Sequence, residues 1–376
     1  LVVFQFSISI ILLVGTGVVY KQLDFIQSQD LGFDQDQIVV LPIETENGEN
    51  TFDTFRNRIL TNPGIVEAAA AGLIPGPNHI HNNTAFRSED MTQDEFIIAA
   101  QGEVSNDYVE TLGLRIVAGR DFDADYMTDS TAFVINEAAA LKLGYTAEEA
   151  VGKKVARLGG NPDDSDRWAT VIGVVADANY ASLHSTVQPM VMGNWTQNRR
   201  YLPIRIRPEN VEETLAFLDE AWTSWEPGYP FRYFFMDEDY EKYYEQEQRL
   251  GSIYTYFTVL AVLIACLGLF GLASFVTTQR TKEIGVRKVM GASVPRIVVL
   301  LSKEFTLLVL ISCVVGFPIA WYAMSMWLQD FAYATTIGWG IFAIAGSSAL
   351  LIAWLTVSYQ SIRAATCNPV EALRYE

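Results

Sequence analysis

Residues Gln279 to Arg296 read QRTKEIGVRKVMGASVPR, the part of the chain best equipped to recognise a partner. Arg280, Lys282, Arg287, Lys288 and Arg296 stand against the single acid Glu283. Interleaved with them are Ile284, Val286, Val289 and Met290, and Gly291-Ala292-Ser293 follows. A short helix with one apolar and one basic face suits a groove on another protein. The plainer reading makes the cations topology anchors beside anionic lipid, each contributing on the order of 1 kcal/mol. That accounts for the charge but does not need the ordered apolar positions, so docking to a cytoplasmic partner is preferred. Gly285 and Gly291 mark points of close approach or turning.

Other residue sets that could do chemistry are weaker. Asp121, Asp123, Asp125 and Asp129 give a D-x-D spacing, but a calcium loop wants Gly sixth and Glu twelfth, where Tyr126 and Ala132 stand. A solvated acidic loop is the better reading. His79 and His81 flank Ile80, with His184 distant, and two His at that spacing are too few for a structural zinc site. Their loop, Pro75–Asn83, reads equally as a contact surface at the outer tip. There is no G-x-x-x-x-G-K-[ST]; Gly152-Lys153-Lys154 lacks both the leading Gly and the following hydroxyl. H-E-x-x-H and G-x-S-x-G are likewise missing from the sequence. No catalytic residue, metal ligand, cofactor or nucleic-acid partner is assigned, and ATP hydrolysis would have to come from another subunit.

The elements around the basic segment define its setting. Ile253–Val276 and Phe305–Leu328 flank it without an Asp, Glu, Lys or Arg, and Val2–Tyr20 and Gly338–Tyr359 are equally uncharged. A hydrocarbon core about 30 Å thick needs roughly 20 apolar residues of helix. Four transmembrane helices follow, with Trp and Tyr at their ends as expected of the headgroup layer. Val2–Tyr20 lacks the basic leader and small-residue cleavage site of a signal peptide. Short loops dense in Lys and Arg stay cytoplasmic. Residues 21–250 hold 39 Asp and Glu against 18 Lys and Arg and therefore lie outside, with Lys21 a mild exception to the charge rule. Cys266 and Cys313 lie in spans and Cys367 in the tail, so the outer domain folds on core packing without a disulfide.

That domain reads as mixed α/β. Gln37–Ile43 and Ile65–Leu73 are expected strands around a helix Phe52–Leu60 that puts Phe52, Phe55 and Ile59 on one face. Phe96–Val104 is a further strand, with Ser105 placed to cap a short helix. Tyr201–Arg207, Val211–Trp225 and Phe231–Phe235 give strand, helix and strand, expected to pair with the first piece in one sheet with its helices on a single face. An inserted subdomain covers about 106–198, with strands Thr131–Ile135 and Ala169–Val175 and a helix Asn136–Leu143 stopped by Gly144. Residues 237–250 read as a stalk helix entering the second span. Within the membrane, Ala261, Ala265, Gly268 and Gly271 form a small-residue stripe that would let helices approach. Gly316 and Pro318 are expected to bend the third span. No span carries a charge for an ion path or proton relay.

RTKEIGVRKVMGAS after an apolar helix resembles the cytoplasmic loop of the FtsX/MacB-type ABC transporter permeases. LGLRIVAGRDF, FVINEAAALKLG and VIGVVADANYASLH resemble the MacB-like extracytoplasmic core domain, and NPVEALRYE the cytoplasmic tail. The opening LVVFQFSISIILLVGTGVVYKQLDFIQSQDLGF resembles the middle of double-length permeases. A start at Leu1 agrees with a chain beginning inside a longer protein, as the C-terminal half. The resemblance implies a permease unit without its own ATPase, in a family whose outer domain relays mechanical motion. The coupling residues would be Arg280, Lys282, Glu283, Ile284, Gly285, Val286, Arg287, Lys288, Val289, Met290 and Gly291. The partners would be a cytoplasmic ABC ATPase, a second permease unit (a copy or the preceding half), membrane lipid and a periplasmic adaptor. Two alternatives stay open: a sensor or regulator that binds a ligand or activates a cell-wall hydrolase, which predicts a ligand-sized pocket in residues 21–250, and a membrane-anchored adhesion domain.

Topology is directly testable. With Cys266, Cys313 and Cys367 replaced, a cysteine at Asn161 is expected to react with an impermeant maleimide from outside, and one at Ser293 only after permeabilisation. Labelling of both from the same side would overturn the topology.

Overall fold

The computed structural model describes residues 1–376 apart from 44–45, 78, 80–81, 159–166, 196–197, 281–282, 284–285, 288–289, 291–292 and 367–376. Two units result, Leu1–Ser28 with Gln246–Glu376 and, separately, Gln29–Glu245. In the first, the helices Val2–Gln27, Glu245–Gln279, Val294–Leu328 and Trp339–Thr366 each contain a stretch long and apolar enough to span a bilayer.

The first span is the hub of that unit. Val2, Phe6, Ile10, Val14 and Val18 recur every fourth residue, which stacks them on one helix face, and none is more than 8% exposed. They pack against Phe305, Val309 and Cys313 of the third span, Phe342, Ala345 and Ala349 of the fourth, and Ala265 and Leu269 of the second. Hydroxyls tie the packing at two levels. Ser312 Oγ donates to Val3 O at 3.1 Å, and the hydroxyls of Thr16 and Thr258 lie 3.0 Å apart. The helix runs on past Tyr20, where its apolar run stops, to Gln27. Its polar end is satisfied from the connection between the third and fourth spans. Lys21 Nζ donates to Thr336 O (2.8 Å), Gln22 Nε2 donates to Tyr333 O (2.9 Å), and Gln22 Oε1 accepts from Thr335 N (2.8 Å).

The second unit holds eleven strands among the described residues: β1 Ile38–Pro42, β2 Ile65–Ala68, β3 Asn83–Ser88, β4 Ile97–Glu103, β5 Ile116–Gly119, β6 Ala132–Asn136, β7 Lys154–Arg157, β8 Arg167–Val175, β9 Met190–Gly193, β10 Tyr201–Ile206 and β11 Phe234–Phe235. One sheet has the order β11-β1-β10-β2 and is antiparallel throughout. The register Val39↔Ile204 and Leu41↔Leu202 puts four apolar side chains on one face. Over that face pack Phe52, Phe55 and Ile59 of the helix Glu46–Ile59, with Leu218, Ala221 and Trp222 of the helix Val211–Trp225.

The other sheet has the order β5-β8-β6-β9-β4-β3-β7, and β7 pairs again with β8. The second pairing closes β8, β6, β9, β4, β3 and β7 into a ring, and β5 pairs with Gly173–Val175 of β8, beyond the stretch Arg167–Thr170 that β7 takes. Its interior is Phe86, Ile97, Ala99, Phe133, Ile135, Val155, Val171 and Val191. The subdomain therefore takes in β3 and β4 and begins earlier than the expected 106. Alternation along β4 gives its inward residues to the barrel, a pairing that local pattern does not reveal. The expected strand Ile65–Leu73 ends at Ala68. Ser105 caps nothing: its Oγ accepts from Ala70 N at 3.0 Å, and the short helix Tyr108–Thr111 has Asp107 at its N-cap. Asn136 does cap, accepting from Ala139 N at 3.0 Å, and Gly144 ends that helix region at φ +93°.

Two glycines separate conformational strain from collision. At Gly144 a Cβ would meet open space, whereas at Gly119 (φ +71°) it would run into the Ile172 carbonyl. Gly144→Ala is expected to lower stability by about 1–2 kcal/mol, the cost of a Cβ in left-handed backbone. Gly119→Ala should lose roughly 1–3 kcal/mol more through overpacking. Urea midpoints of the two variants at unchanged m-value would check this; equal losses would contradict it.

Candidate functional site

The cytoplasmic segment is described at Arg280, Glu283, Val286, Arg287, Met290 and Ser293; Lys282, Ile284, Gly285, Lys288, Val289 and Gly291 lie outside the described residues. Glu283, Val286 and Arg287 are helical, and Met290 N donates to Val286 O at 3.0 Å. Two arginines are paired within the chain. Arg287 Nη2 lies 2.5 Å from Glu283 Oε1 one turn earlier, and Arg280 Nη2 lies 2.7 Å from Glu304 Oε1 of the third span. Val286 is 48% and Met290 75% exposed. The geometry thus presents apolar side chains outward beside arginines that already have counter-charges.

A second constellation holds the base of the stalk. The residues expected to form it are a helix Met236–Glu241, a 3-10 turn Lys242–Tyr244, and the start of the long helix at Glu245. Tyr240 Oη donates to the carbonyls of Asn179 and Ala181, both at 2.9 Å; Tyr243 Oη donates to Gly76 O at 2.8 Å; Tyr244 Oη accepts from Leu183 N at 2.9 Å. Burial pushes the Tyr240 hydroxyl well up and Tyr243 up to about 12, so both stay neutral donors. These tyrosines were not singled out from sequence. Their spacing at i, i+3 and i+4 on an otherwise charged helix is the signal that finds them.

The histidine loop sits against the same base. His79 Nε2 is 2.6 Å from Asp239 Oδ2, its Nδ1 is 3.0 Å from Tyr201 Oη, and its ring stacks on Phe234 with centroids 5.4 Å apart. His79 belongs to the packing around Asp239, whose other oxygen is 2.5 Å from Lys242 Nζ. His81 lies outside the described residues, and His184 Nδ1 is 2.6 Å from Ser182 Oγ. In the acidic loop, Asp129 is 1% exposed, pairs with Arg120 through two 2.7 Å bonds, and accepts from Asp123 N. Among the described residues no three His, Cys, Asp or Glu converge as a metal would require.

Within the membrane unit, the stripe residues differ in environment. Ala265 is buried, Ala261 half-buried, and a Cβ at Gly268 would collide with the Gln5 side chain of the first span. Gly271 is exposed with open space around it, so the face of the second span turned to its neighbours continues through Leu269 and Ala273 instead. Gly316 meets the first span, where an added Cβ would lie 3.2 Å from Ile10 Cγ2. Pro318 lies inside the helix Val294–Leu328, which continues beyond it.

Asp121 supplies a pH test of the acidic loop. Burial pushes its carboxyl up to about 7, against the bond it accepts from Phe122 N at 2.7 Å. The folded state then binds the proton more tightly than the unfolded chain, so this group reduces stability as pH rises from about 4 to about 7. Asp121→Asn keeps an acceptor for Phe122 and is expected to raise the unfolding midpoint at pH 8 while leaving it unchanged at pH 3.5. An equal effect at both pH values would refute the assignment.

Comparison with known proteins agrees over both units. The MacB-like periplasmic core domain matches residues 6–220, and the FtsX-like permease C-terminal domain matches residues 255–369. The macrolide export ATP-binding/permease protein MacB of Agrobacterium fabrum is 26% identical over 356 residues, 88% of this chain and 52% of that protein. MacB of Chromobacterium violaceum is 22% identical, covering 73% of this chain and 43% of its own length. An uncharacterized ABC transporter permease, YknZ of Bacillus subtilis, is 28% identical over 31% of this chain and 30% of its own. The chain thus spans about half or less of the length of these relatives. Among solved structures, the periplasmic region of MacB from Actinobacillus actinomycetemcomitans aligns with a TM-score of 0.40 at 13% identity, over 59% of this chain and 98% of that one. The chain belongs to the FtsX/MacB-type ABC transporter permeases, multi-pass proteins of the bacterial inner membrane with an extracytoplasmic MacB-like core domain.

Proposed function

We propose that this permease works in an ATP-driven export or extrusion complex and passes the motion of a partner ATPase to its extracytoplasmic domain. The observation that carries this is the outward-facing Val286 and Met290 on a cytoplasmic segment whose neighbouring arginines are held by Glu283 and Glu304. An apolar grip flanked by neutralised charge suits a groove on an ATP-binding subunit. Helical structure from Met236 to Gln279 gives the push a stiff path, and the stalk tyrosines fasten its upper end to the core domain. Exposed apolar residues of the second span, Leu263 and Leu267 among them, suit a second permease unit or lipid. A bend at Gly316 and Pro318, and contact of the core domain with a periplasmic adaptor, belong to the same proposal. A sensor or regulator is the second reading, favoured by a cavity of about 650 Å³ in the core domain, within the range of small-molecule sites.

The docking test compares two double variants. Burying Val286 and Met290 in a groove would contribute roughly 1.5–3 kcal/mol apiece, and exposed charge pairs about 0–1 kcal/mol each. Val286→Ser with Met290→Ser is expected to release the cognate ATP-binding subunit from membranes while the permease stays inserted. Arg287→Gln with Lys288→Gln should weaken retention less, and mainly at low salt. Full retention in both variants would reduce the segment to a topology anchor.

A further inference from the structure

The closed sheet has two ends, and one of them carries an unusual set of side chains. β4, β7 and β9 finish there, at Glu103, Arg157 and Gly193, and β6 and β8 begin there, at Ala132 and Arg167. The cavity of about 650 Å³ opens at this mouth, lined by Glu103, Arg157, Arg167, Asn194, Trp195 and their neighbours. Arg157 and Arg167 are direct partners across the antiparallel β7–β8 pair that closes the ring. Both follow the inward alternation of their strands, Val155 with Arg157 and Arg167 with Ala169 and Val171, toward the side that holds the core. Like charges directly opposite one another on a sheet destabilise it. The surrounding domain is strongly acidic, so two arginines at one point of the mouth, Arg157 half-buried and Arg167 exposed at the rim, are an exception to its composition. Arg157 Nε is buried and has no hydrogen-bond partner among the described residues.

The rest of the mouth is rigid. Trp195 Nε1 donates to Ser130 O at 3.1 Å, and the indole sits edge-on to Phe133 with centroids 5.6 Å apart. It lies so close over Gly193 that a Cβ there would be 3.1 Å from two ring atoms. The Arg157 guanidinium lies 5.9 Å from the same ring centroid. Glu103, 4% exposed, accepts from Gln101 Nε2 at 2.7 Å; burial raises its carboxyl above the usual range, and the charges of Arg157 and Arg199 work against that rise. Arg199 Nη2 donates to Asn194 Oδ1 and Val104 O, fixing the far wall.

We propose that this barrel mouth is a binding site for a small organic anion, its carboxylate or phosphate held between Arg157 and Arg167 and its apolar body laid against Trp195. Guanidinium pairs bind planar or tetrahedral oxyanions through several parallel N–H···O bonds. The cavity is large enough for a ring-bearing molecule of modest size. The site is independent of ATPase docking: it lies wholly within the core domain. The rival counter-charge is internal, because the β7–β8 connection contains Asp163, Asp164 and Asp166.

The test uses the full chain in detergent, titrated calorimetrically with phenyl phosphate, benzoate and uncharged phenol. Phenyl phosphate or benzoate is expected to bind in the millimolar range or tighter, and phenol not at all. Arg167→Gln should weaken anion binding about tenfold, the loss of a charge-assisted bond, and Trp195→Ala should weaken it for the ring-bearing anions. Without anion, Arg167→Gln should unfold at the same temperature as the parent or higher, since it relieves the repulsion. Two results would overturn the proposal. One is no heat of binding from either anion with the parent chain. The other is an Arg167→Gln variant that is less stable and binds as before, which would give the arginines to the domain's own acids.

Discussion

An unsatisfied backbone N–H or C=O costs several kcal/mol in hydrocarbon, and this constraint sets the form of the membrane unit. Each spanning segment has to be a helix, and helices must then find partners without a hydrophobic drive between them. The first span answers with a face of Val2, Phe6, Ile10, Val14 and Val18 that reaches the other three. Small residues opposite it, Ala265, Ala345, Ala349 and Gly316, let the backbones approach. The hydroxyls of Ser312 and Thr16 bond to their own helix as well as across it, so no polar atom of theirs is stranded. The apolar runs carry no Asp, Glu, Lys or Arg, so side-chain packing and these hydroxyl bonds are what join the helices.

Most of this was legible in the sequence because hydropathy and charge act locally. The four apolar runs and the acidic domain between the first two follow from single-residue chemistry, and so do the helices carrying Phe52, Phe55 and Ile59, and Leu218 and Trp222. What stayed hidden depends on long-range pairing. That β3 and β4 belong to the barrel is decided by β4 lying parallel to β9, some ninety residues away. Ser105 looks like a helix cap in sequence, but its hydroxyl is taken by Ala70 N from a different strand region. Gly271 fits a small-residue stripe by spacing, yet faces outward because the contact face of the second span drifts around the helix toward Ala273. Arg157 and Arg167 are ten residues apart and unremarkable until register makes them opposite partners.

The start of the stalk is tied to the core domain by hydrogen bonds from three tyrosines. Tyr240, Tyr243 and Tyr244 bond to backbone groups of two separate loops, around Gly76 and around Asn179 to Leu183. The helix start is therefore fastened to both loops at once. His79, from the loop around Gly76, and Lys242, one turn along the stalk, converge on Asp239, so a Lys–carboxylate pair joins the phenolic contacts. Phe33 packs against Tyr180 and Tyr240 with centroids 5.8 and 5.7 Å apart, so the segment that follows the first span meets the same cluster. Both chain entries into the domain thus end on one aromatic cluster.

The two arginine sets of the chain obey opposite rules. In the cytoplasmic segment Arg280 and Arg287 have nearby acids and solvent, so their charge is partly neutralised and the contact is left to Val286 and Met290. At the barrel mouth Arg157 and Arg167 are register partners on β7 and β8, with the buried Glu103 beside Arg157. Flexible pairs at a surface contribute little and are easily exchanged for a partner's groups. At the barrel mouth the two cations are set opposite one another by strand register, which favours whatever brings a counter-charge to them. The same residue type is thus paired within one helix turn or with the next helix at one place, and placed by long-range strand pairing at the other.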